Sequence, residues 1–337
     1  MTRQPQTSAV PSVRMDPAQT VRRLVPLAKL APAVTPTEDV YVIAHMGIAH
    51  VDVRHWRLVI DGLVEEPLGL DYDEITSLPA RDVVAVLECF GNPVEPDVPT
   101  RRVGNVAWRG VPLAEILTRA RVKPEATSVW LEAPDHGVFA GVASDHYVKD
   151  LPLEDARRDD VLLAWAMNGA PLTIEHGFPL RAFVPGFFGT NAVKWLSRIH
   201  VADHRPESLF TTRLYNRRRT VNGQTISEPV RDLDVHAVIV SPTDGAQLPR
   251  GAHEISGRAW SAGAVARVEL SIDGGTTWRD AKLEPRGPTP AWQRFAVAWT
   301  FERSGRHELS CRATDSAGRI QPPVGRNRIH TIAVTVC

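Results

Sequence analysis

Apolar residues become dense from about Asp39 onward, and their spacing divides the chain in two. In the first part, Trp56-Arg57-Leu58-Val59-Ile60 runs into Asp61-Gly62, which predicts a strand meeting a turn. Asp73-Glu74-Ile75 starts a short helix that ends near Pro79. Val83 to Leu87 is apolar throughout and is bounded by a Gly/Pro loop. This predicts a buried strand over Asp82 to Glu88, with Cys89 at its end. Val111-Pro112-Leu113-Ala114-Glu115-Ile116-Leu117 has proline near its start and helical spacing after it, so a helix is expected. Ser128 to Glu132 reads as a further strand. No regular strand–helix–strand alternation appears, so this part is a mixed α+β domain rather than a doubly wound sheet.

From about Asp232 the pattern changes to short strands: Ala237–Val240, Glu254–Trp260, Arg267–Ile272, Phe295–Phe301 and Glu308–Ala313. Ser241-Pro242 and Asp273-Gly274-Gly275 supply turns between them. About 100 residues of this kind predict an immunoglobulin-like β-sandwich, with Trp260, Trp278, Trp292 and Trp299 as packing residues. Residues 1–35 are rich in Pro, Ser, Thr and Gln with little periodicity, and read as a flexible tail. The expected organisation is therefore 1–35 tail, 36–230 α+β domain and 231–337 sandwich.

Charge narrows the choice of partners. The 337 residues carry 39 Lys plus Arg and 39 Asp plus Glu, which argues against a nucleic-acid binder. No apolar run approaches the roughly 20 residues of a membrane-spanning helix. Arg22-Arg23 before Leu24–Ala28 faintly suggests an export signal, but Lys29 interrupts it. A cytoplasmic protein is expected, with a periplasmic one as the alternative if that signal is atypical. The three cysteines, Cys89, Cys311 and Cys337, form no disulfide framework and no C-x-x-C pair, so no attached haem is expected in this chain.

Two regions carry chemistry. Cys89 sits in Glu88-Cys89-Phe90-Gly91-Asn92-Pro93, directly after the buried strand. Glu175 to Leu196 concentrates Gly, Pro, His, Arg and Lys between apolar stretches. Its glycines allow close backbone approach, and His176, Arg181 and Lys194 offer charge-assisted donors to an anionic group such as a phosphate. Asp135-His136, Asp145-His146 and His176 are a rival set of metal ligands, without helix-spaced His pairs.

Taken together, Glu88-Cys89-Phe90-Gly91-Asn92, Asn105 to Leu113 through Trp108-Arg109-Gly110, His176-Gly177-Phe178-Pro179-Leu180-Arg181 and Val193-Lys194-Trp195-Leu196 resemble the successive motifs of the sulfite oxidase family, in its order. The second part resembles that family's dimerisation domain at Gly257-Arg258-Ala259-Trp260, at Glu269 to Trp278 and at Ala313-Thr314-Asp315-Ser316-Ala317-Gly318. The resemblance implies a sulfite-oxidase-type molybdopterin-binding domain followed by an all-β immunoglobulin-like dimerisation sandwich. It further implies a molybdenum–molybdopterin cofactor with Cys89 as the metal's thiolate ligand, a soft donor suited to it. His45, Asp135, His176, Arg181, Ala192, Val193 and Lys194 match positions that bind the pterin and its phosphate. Tyr215 matches a tyrosine beside the metal, and Trp108 a wall of the substrate pocket.

The pattern departs from the family at its arginines. Ile43 stands in the arginine position before His45, Pro93-Val94 follow Gly91-Asn92, and Asn191 replaces a third basic residue. Each lost charge-assisted contact costs a bound oxyanion on the order of 1.5–3 kcal/mol. Arg101, Arg102 and Arg109 are available to compensate, and Ile43, Phe90, Phe187 and Phe188 to line an apolar pocket. The resemblance thus implies a homodimeric oxidoreductase performing two-electron oxygen-atom transfer on a small molecule, one less anionic than sulfite. Its electrons would pass to a separate cytochrome or to oxygen. A cofactor-bound homologue with weak or lost catalysis, or a non-enzymatic binding protein, are the alternatives.

Overall fold

The structure is a computed structural model describing residues 13–93, 95, 98–221, 223–287 and 290–337. In the first unit, Arg81–Glu88 pairs antiparallel with Val103–Pro112. The far edge of Val103–Pro112 takes Leu162–Met167, which in turn pairs with Arg181–Phe183. The ladder shifts register between Arg109 and Gly110, where any Cβ would lie 2.2 Å from the Leu163 carbonyl oxygen. A glycine is therefore required at that bulge. A second sheet runs Tyr147–Pro152, Ser128–Ala133, Arg198–Ala202, Leu58–Gly62 and Leu68–Leu70, with Arg198–Ala202 parallel to Leu58–Gly62.

The helix Leu113–Ala120 turns Leu113, Ile116, Leu117 and Ala120 into the core, the i, i+3, i+4, i+7 spacing of one helical face. It ends at Arg121, whose φ of 54° breaks the helix. Leu58, Ile60, Val129, Leu131, Leu163 and Ile199 meet it in one core. Each such fully buried Leu or Ile contributes about 1.5–3 kcal/mol. Ala182, in Arg181–Phe183, joins this core, while Val83, Val86 and Leu87 of Arg81–Glu88 pack in a second one with Trp108 and Phe183.

Residues 1–12 of the expected tail lie outside the described residues. Residues 14–35 differ from a flexible tail. Arg14–Met15 pairs with Ala49–His50, Val21–Arg23 with Val42–Ala44, and Val25–Pro26 with Thr100–Arg101. Val25, Leu30 and Thr35 are buried, and Thr35 exchanges backbone and hydroxyl bonds with Asn105. The segment lacks its own hydrophobic period because it covers sheet edges one short strand at a time, so its composition misleads.

From His236 the chain forms a sandwich. One sheet orders His236–Ser241, Gly251–Trp260, Gln293–Phe301 and Lys282–Leu283. The other orders Gln247–Leu248, His330–Val336, Gly305–Asp315, Val265–Ser271 and Arg279–Asp280. Phe295, Phe301, Leu309 and Cys311 fill the space between them. Trp260 and Trp292 pack instead toward the first unit, joining its core with Val83, Val106 and Trp108. The whole is an α+β domain carrying an immunoglobulin-like sandwich.

Candidate active site

Cys89 is placed by the ladder itself. Its N–H donates to the Arg102 carbonyl at 2.9 Å, one step past the Val103–Glu88 pair. Asn92 then pins the loop: its Oδ1 accepts from the Arg102 N–H at 2.6 Å and its Nδ2 donates to Glu88 at 3.0 Å. The Cys89 thiol is free and only partly buried by surface area. Desolvation pushes its pKa up, while the Gly91 backbone and the Arg102 guanidinium pull it down.

The thiol faces a cleft of about 650 Å³. His45, Asp135, His176, Arg181, Ala192, Val193, Lys194 and Tyr215 all line it together with Cys89. Residues not singled out in the sequence join them, notably Tyr41, Tyr147, Glu175 and Thr190. Tyr147 donates to the Thr190 carbonyl at 2.7 Å. Neither position carries a motif signal; each is brought in by the fold alone.

One wall is cationic. Ile174–His176 turns at Gly177, where φ is 111° and a Cβ would meet the Lys194 side chain at 3.0 Å. Lys194 therefore passes directly over the glycine. Its ammonium donates to the carbonyls of Ile43 at 3.1 Å and Glu175 at 3.0 Å, leaving one of three donors uncommitted. Arg181 Nε and His176 Nε2 are buried without a hydrogen-bond partner. Burial lowers the Lys194 pKa and raises that of Asp135 beside it. It also takes Arg181 down to about 10 and His176 to about 3, the latter helped by Arg181 and Lys194. An unsatisfied guanidinium donor and two cations held against a desolvation cost mark a wall suited to an anion.

The other grouping is aromatic. His45 Nε2 lies 2.5 Å from the Tyr215 hydroxyl, and the rings of Phe139, Tyr147 and Phe210 surround His45. Burial, with the charges of Lys194 and Arg22, lowers the His45 pKa to about 3, and burial pushes that of Tyr215 up. The imidazole is thus neutral and the phenol keeps its proton, so Tyr215 O–H donates to Nε2.

Residues 45–210 match the oxidoreductase molybdopterin binding domain, and residues 227–334 the Mo-co oxidoreductase dimerisation domain. The chain is 31% identical over 318 residues to sulfite oxidase of Gallus gallus, covering 86% of this chain and 68% of that protein. The chain belongs to the sulfite oxidase family. Sulfite oxidase of Arabidopsis thaliana is 31% identical over 324 residues, covering 86% of this chain and 82% of that one. The human mitochondrial sulfite oxidase is 32% identical over 323 residues, but the chain covers only 57% of its length. The solved sulfane dehydrogenase SoxCD of Paracoccus pantotrophus superposes with a TM-score of 0.81 at 27% identity, covering 98% of this chain and 92% of that one. This sulfite oxidase family member is a molybdopterin oxidoreductase with a dimerisation domain.

Its residues fit the cofactor. Cys89 offers a soft donor at the cleft, and the orphaned Arg181 Nε and Lys194 line the same space as donors an anionic pterin could use. Among the described residues, no group of three or more His, Cys, Asp or Glu could hold a metal, so the rival Asp135/His136/Asp145/His146/His176 set is not assembled.

Three expectations are corrected. Trp108 does not line the cleft: it is fully buried, stacked on Phe183 at 4.5 Å, with the Arg181 guanidinium 5.2 Å from its ring centre. Strand alternation turns its side chain to the back of the sheet, where it supports Arg181. Phe188 is fully buried against Phe90, and Phe187 packs under Arg158, so neither reaches the cleft. Of the three arginines considered as replacements, Arg109 pairs with Asp82 at the surface and Arg101 is committed to the Val98 and Thr100 carbonyls. Only Arg102 acts on Cys89.

Proposed function

We propose that the protein carries out two-electron oxygen-atom transfer on a reduced sulfur substrate less anionic than sulfite, with Cys89 holding molybdenum. The observation that carries the substrate half is the lining near Cys89: Ile43, Phe90, Tyr41 and Tyr215, with Arg181 the one arginine among the described residues that line the cleft. A dianion there would lose charge-assisted contacts at on the order of 1.5–3 kcal/mol each. Arg102, in the bend before Val103–Pro112, acts on Cys89 and, with Arg22, on Tyr215, a modest positive charge that suits a singly charged or neutral sulfur. The likeness to a protein named a sulfane dehydrogenase supports the same choice.

When bound, the cofactor supplies the two-electron redox and oxygen-transfer chemistry. The chain's own residues do the rest. His176, Arg181 and Lys194 hold the anionic pterin, Asp135 neighbours Lys194, and the backbone at Ala192 and Val193 closes the floor. Tyr215, fixed by its bond to neutral His45, presents a phenol beside Cys89. Ile43 and Phe90 keep water from the substrate. Electrons leave to a separate carrier such as a cytochrome, or to oxygen, and the protein works as a homodimer through its sandwich.

The test is elemental analysis of protein made in a host that synthesises the pterin, beside Cys89→Ser. Molybdenum near one equivalent, lost in the variant, supports the metal assignment; well-folded wild type without molybdenum overturns it. The kcat/KM for sulfite is expected to lie at least tenfold below that for a sulfane substrate, a difference of about 1.4 kcal/mol. An equal or higher value for sulfite overturns the substrate assignment.

A further inference from the structure

The strand Val21–Arg23 of the lead-in runs antiparallel to Val42–Ala44, and all three residues of Val42–Ala44 line the cofactor cleft. The register sets Arg22 opposite Ile43 and Arg23 opposite Val42. Residues opposite each other on such a ladder share a face, with Cβ atoms about 4.5–5.5 Å apart, while consecutive side chains take opposite faces. Arg23 takes the face toward Glu175 and pairs with it at 2.5 Å. Arg22 takes the other face, beside Ile43. There, alongside the larger effect of burial, its charge acts to lower the pKa of both His45 and Tyr215. The lead-in is held against this wall. Thr20 Oγ1 donates to the His45 carbonyl at 2.7 Å, and a Cβ at Gly47 would overlap the Pro17 carbonyl.

Arg22 is exposed, and among the described residues none takes a hydrogen bond or a salt bridge from its guanidinium. The group keeps its charge at every working pH and has five N–H donors. The two arginines therefore differ in kind: Glu175 neutralises Arg23, while Arg22 brings one uncompensated positive charge to the rim of an apolar wall. Resting on the reading of this cleft as a substrate site, we propose that Arg22 sets its charge preference, contacting the anionic end of a singly charged sulfur substrate whose reduced sulfur lies toward Cys89. One free guanidinium matches one negative charge, and Ile43 beneath it supplies none. The lead-in thus contributes a binding residue, and the substrate site is complete only with Val21–Arg23 paired on Val42–Ala44.

The test compares molybdenum-loaded wild type, Arg22→Gln and Arg22→Lys. Isothermal titration with sodium methanesulfonate, an unreactive monoanion, reads binding without turnover, and loading keeps the anion out of the pterin site. The Kd is expected to rise about fivefold or more in Arg22→Gln and to stay within about twofold of wild type in Arg22→Lys, which keeps the charge. Sodium chloride is expected to weaken binding more steeply in wild type than in Arg22→Gln, because salt screens an exposed charge. Kinetics give a second readout. With methanesulfinate, a reduced monoanion, KM rises by the same factor in Arg22→Gln while kcat stays within about twofold; with dimethyl sulfide, which is neutral, KM does not change. No saturable methanesulfonate binding to wild type overturns the proposal. So does equal affinity in wild type and Arg22→Gln, or an equal loss in the Gln and Lys variants. A wild type that prefers sulfite to a sulfane substrate overturns the substrate reading instead, and the ratio of Kd between wild type and Arg22→Gln still decides the role of Arg22.

Discussion

The indole N–H of Trp260, on the sandwich, donates to the carboxylate of Glu88 at 2.8 Å, and Glu88 immediately precedes Cys89, the proposed metal ligand. Glu88 is fully buried and also accepts from Asn92 Nδ2 at 3.0 Å, with His236 Nδ1 at 3.4 Å and Arg326 at 4.0 Å. The dimerisation domain thus grips the first unit at the residue that sets the position of Cys89. These neighbours are donors, and a carboxylate is the side chain of that size that only accepts.

Glu88→Gln is therefore expected to destabilise the protein by about 1–3 kcal/mol, because one amide N–H₂ must face the indole or the Asn92 amide. Urea unfolding measures this. A variant as stable as wild type would mean that the network rearranges without cost.

Trp108 contacts Arg181, a proposed pterin-binding residue, and does not line the cleft. Its ring lies under the Arg181 guanidinium and against Phe183. Cation–π contacts contribute about 0.5–2 kcal/mol when desolvated. Trp108→Leu is expected to speed loss of the pterin severalfold while the KM of the fully loaded fraction stays within about twofold. Molybdenum retention during dialysis and KM on freshly loaded protein separate the two. A raised KM with unchanged retention would restore the pocket-wall role.

Tyr215→Phe keeps the ring contacts with Phe90 and His45 but removes the hydroxyl that bonds His45 Nε2. Buried neutral His45 then loses its donor, at about 1–3 kcal/mol. The expected result is a fall in kcat of about tenfold or more with molybdenum content unchanged. Unchanged kcat would confine the tyrosine to packing.

The end of the buried strand at Glu88 and the presence of the helix through Leu113, Ile116 and Leu117 were legible because apolar spacing there matches one element and one face. That His176, Arg181 and Lys194 share one cleft was legible as a motif, since they lie within 19 residues of sequence and the chain folds back at Gly177. Tyr41, Tyr147 and Thr190 were not, because a buried residue among apolar neighbours carries the same signal whether it faces a cleft or a core. Trp108 was misread for the related reason that a motif states which residue is present, while strand alternation decides which side it faces. The lead-in from Arg14 to Thr35 was misread because edge pairing leaves no periodic trace in so short a strand.

Acid sensitivity supplies the last test. Burial lowers the pKa of His330 to about 3, with the charges of Arg101 and His236 acting in the same direction. His45 and His176 are likewise lowered to about 3, facing Lys194 and Arg22, and Arg181, Lys194 and Arg23 respectively; a Thr37 backbone bond opposes the shift at His176. Above the ordinary value of 6.5, folded and unfolded imidazoles are both neutral and pH has no leverage. Below it the unfolded chain takes up protons that the folded chain refuses down to about pH 3, so stability is lost as pH falls. Each such imidazole contributes about 1.4 kcal/mol per pH unit in that window. Gln at position 330 can still accept the Ile239 N–H but cannot titrate. His330→Gln is expected to reduce the slope of unfolding free energy between pH 6 and pH 4 by about that amount while leaving stability at pH 7.5 nearly unchanged. Urea titrations across that range measure it. A slope equal to that of wild type would mean that His330 titrates alike in the folded and unfolded protein.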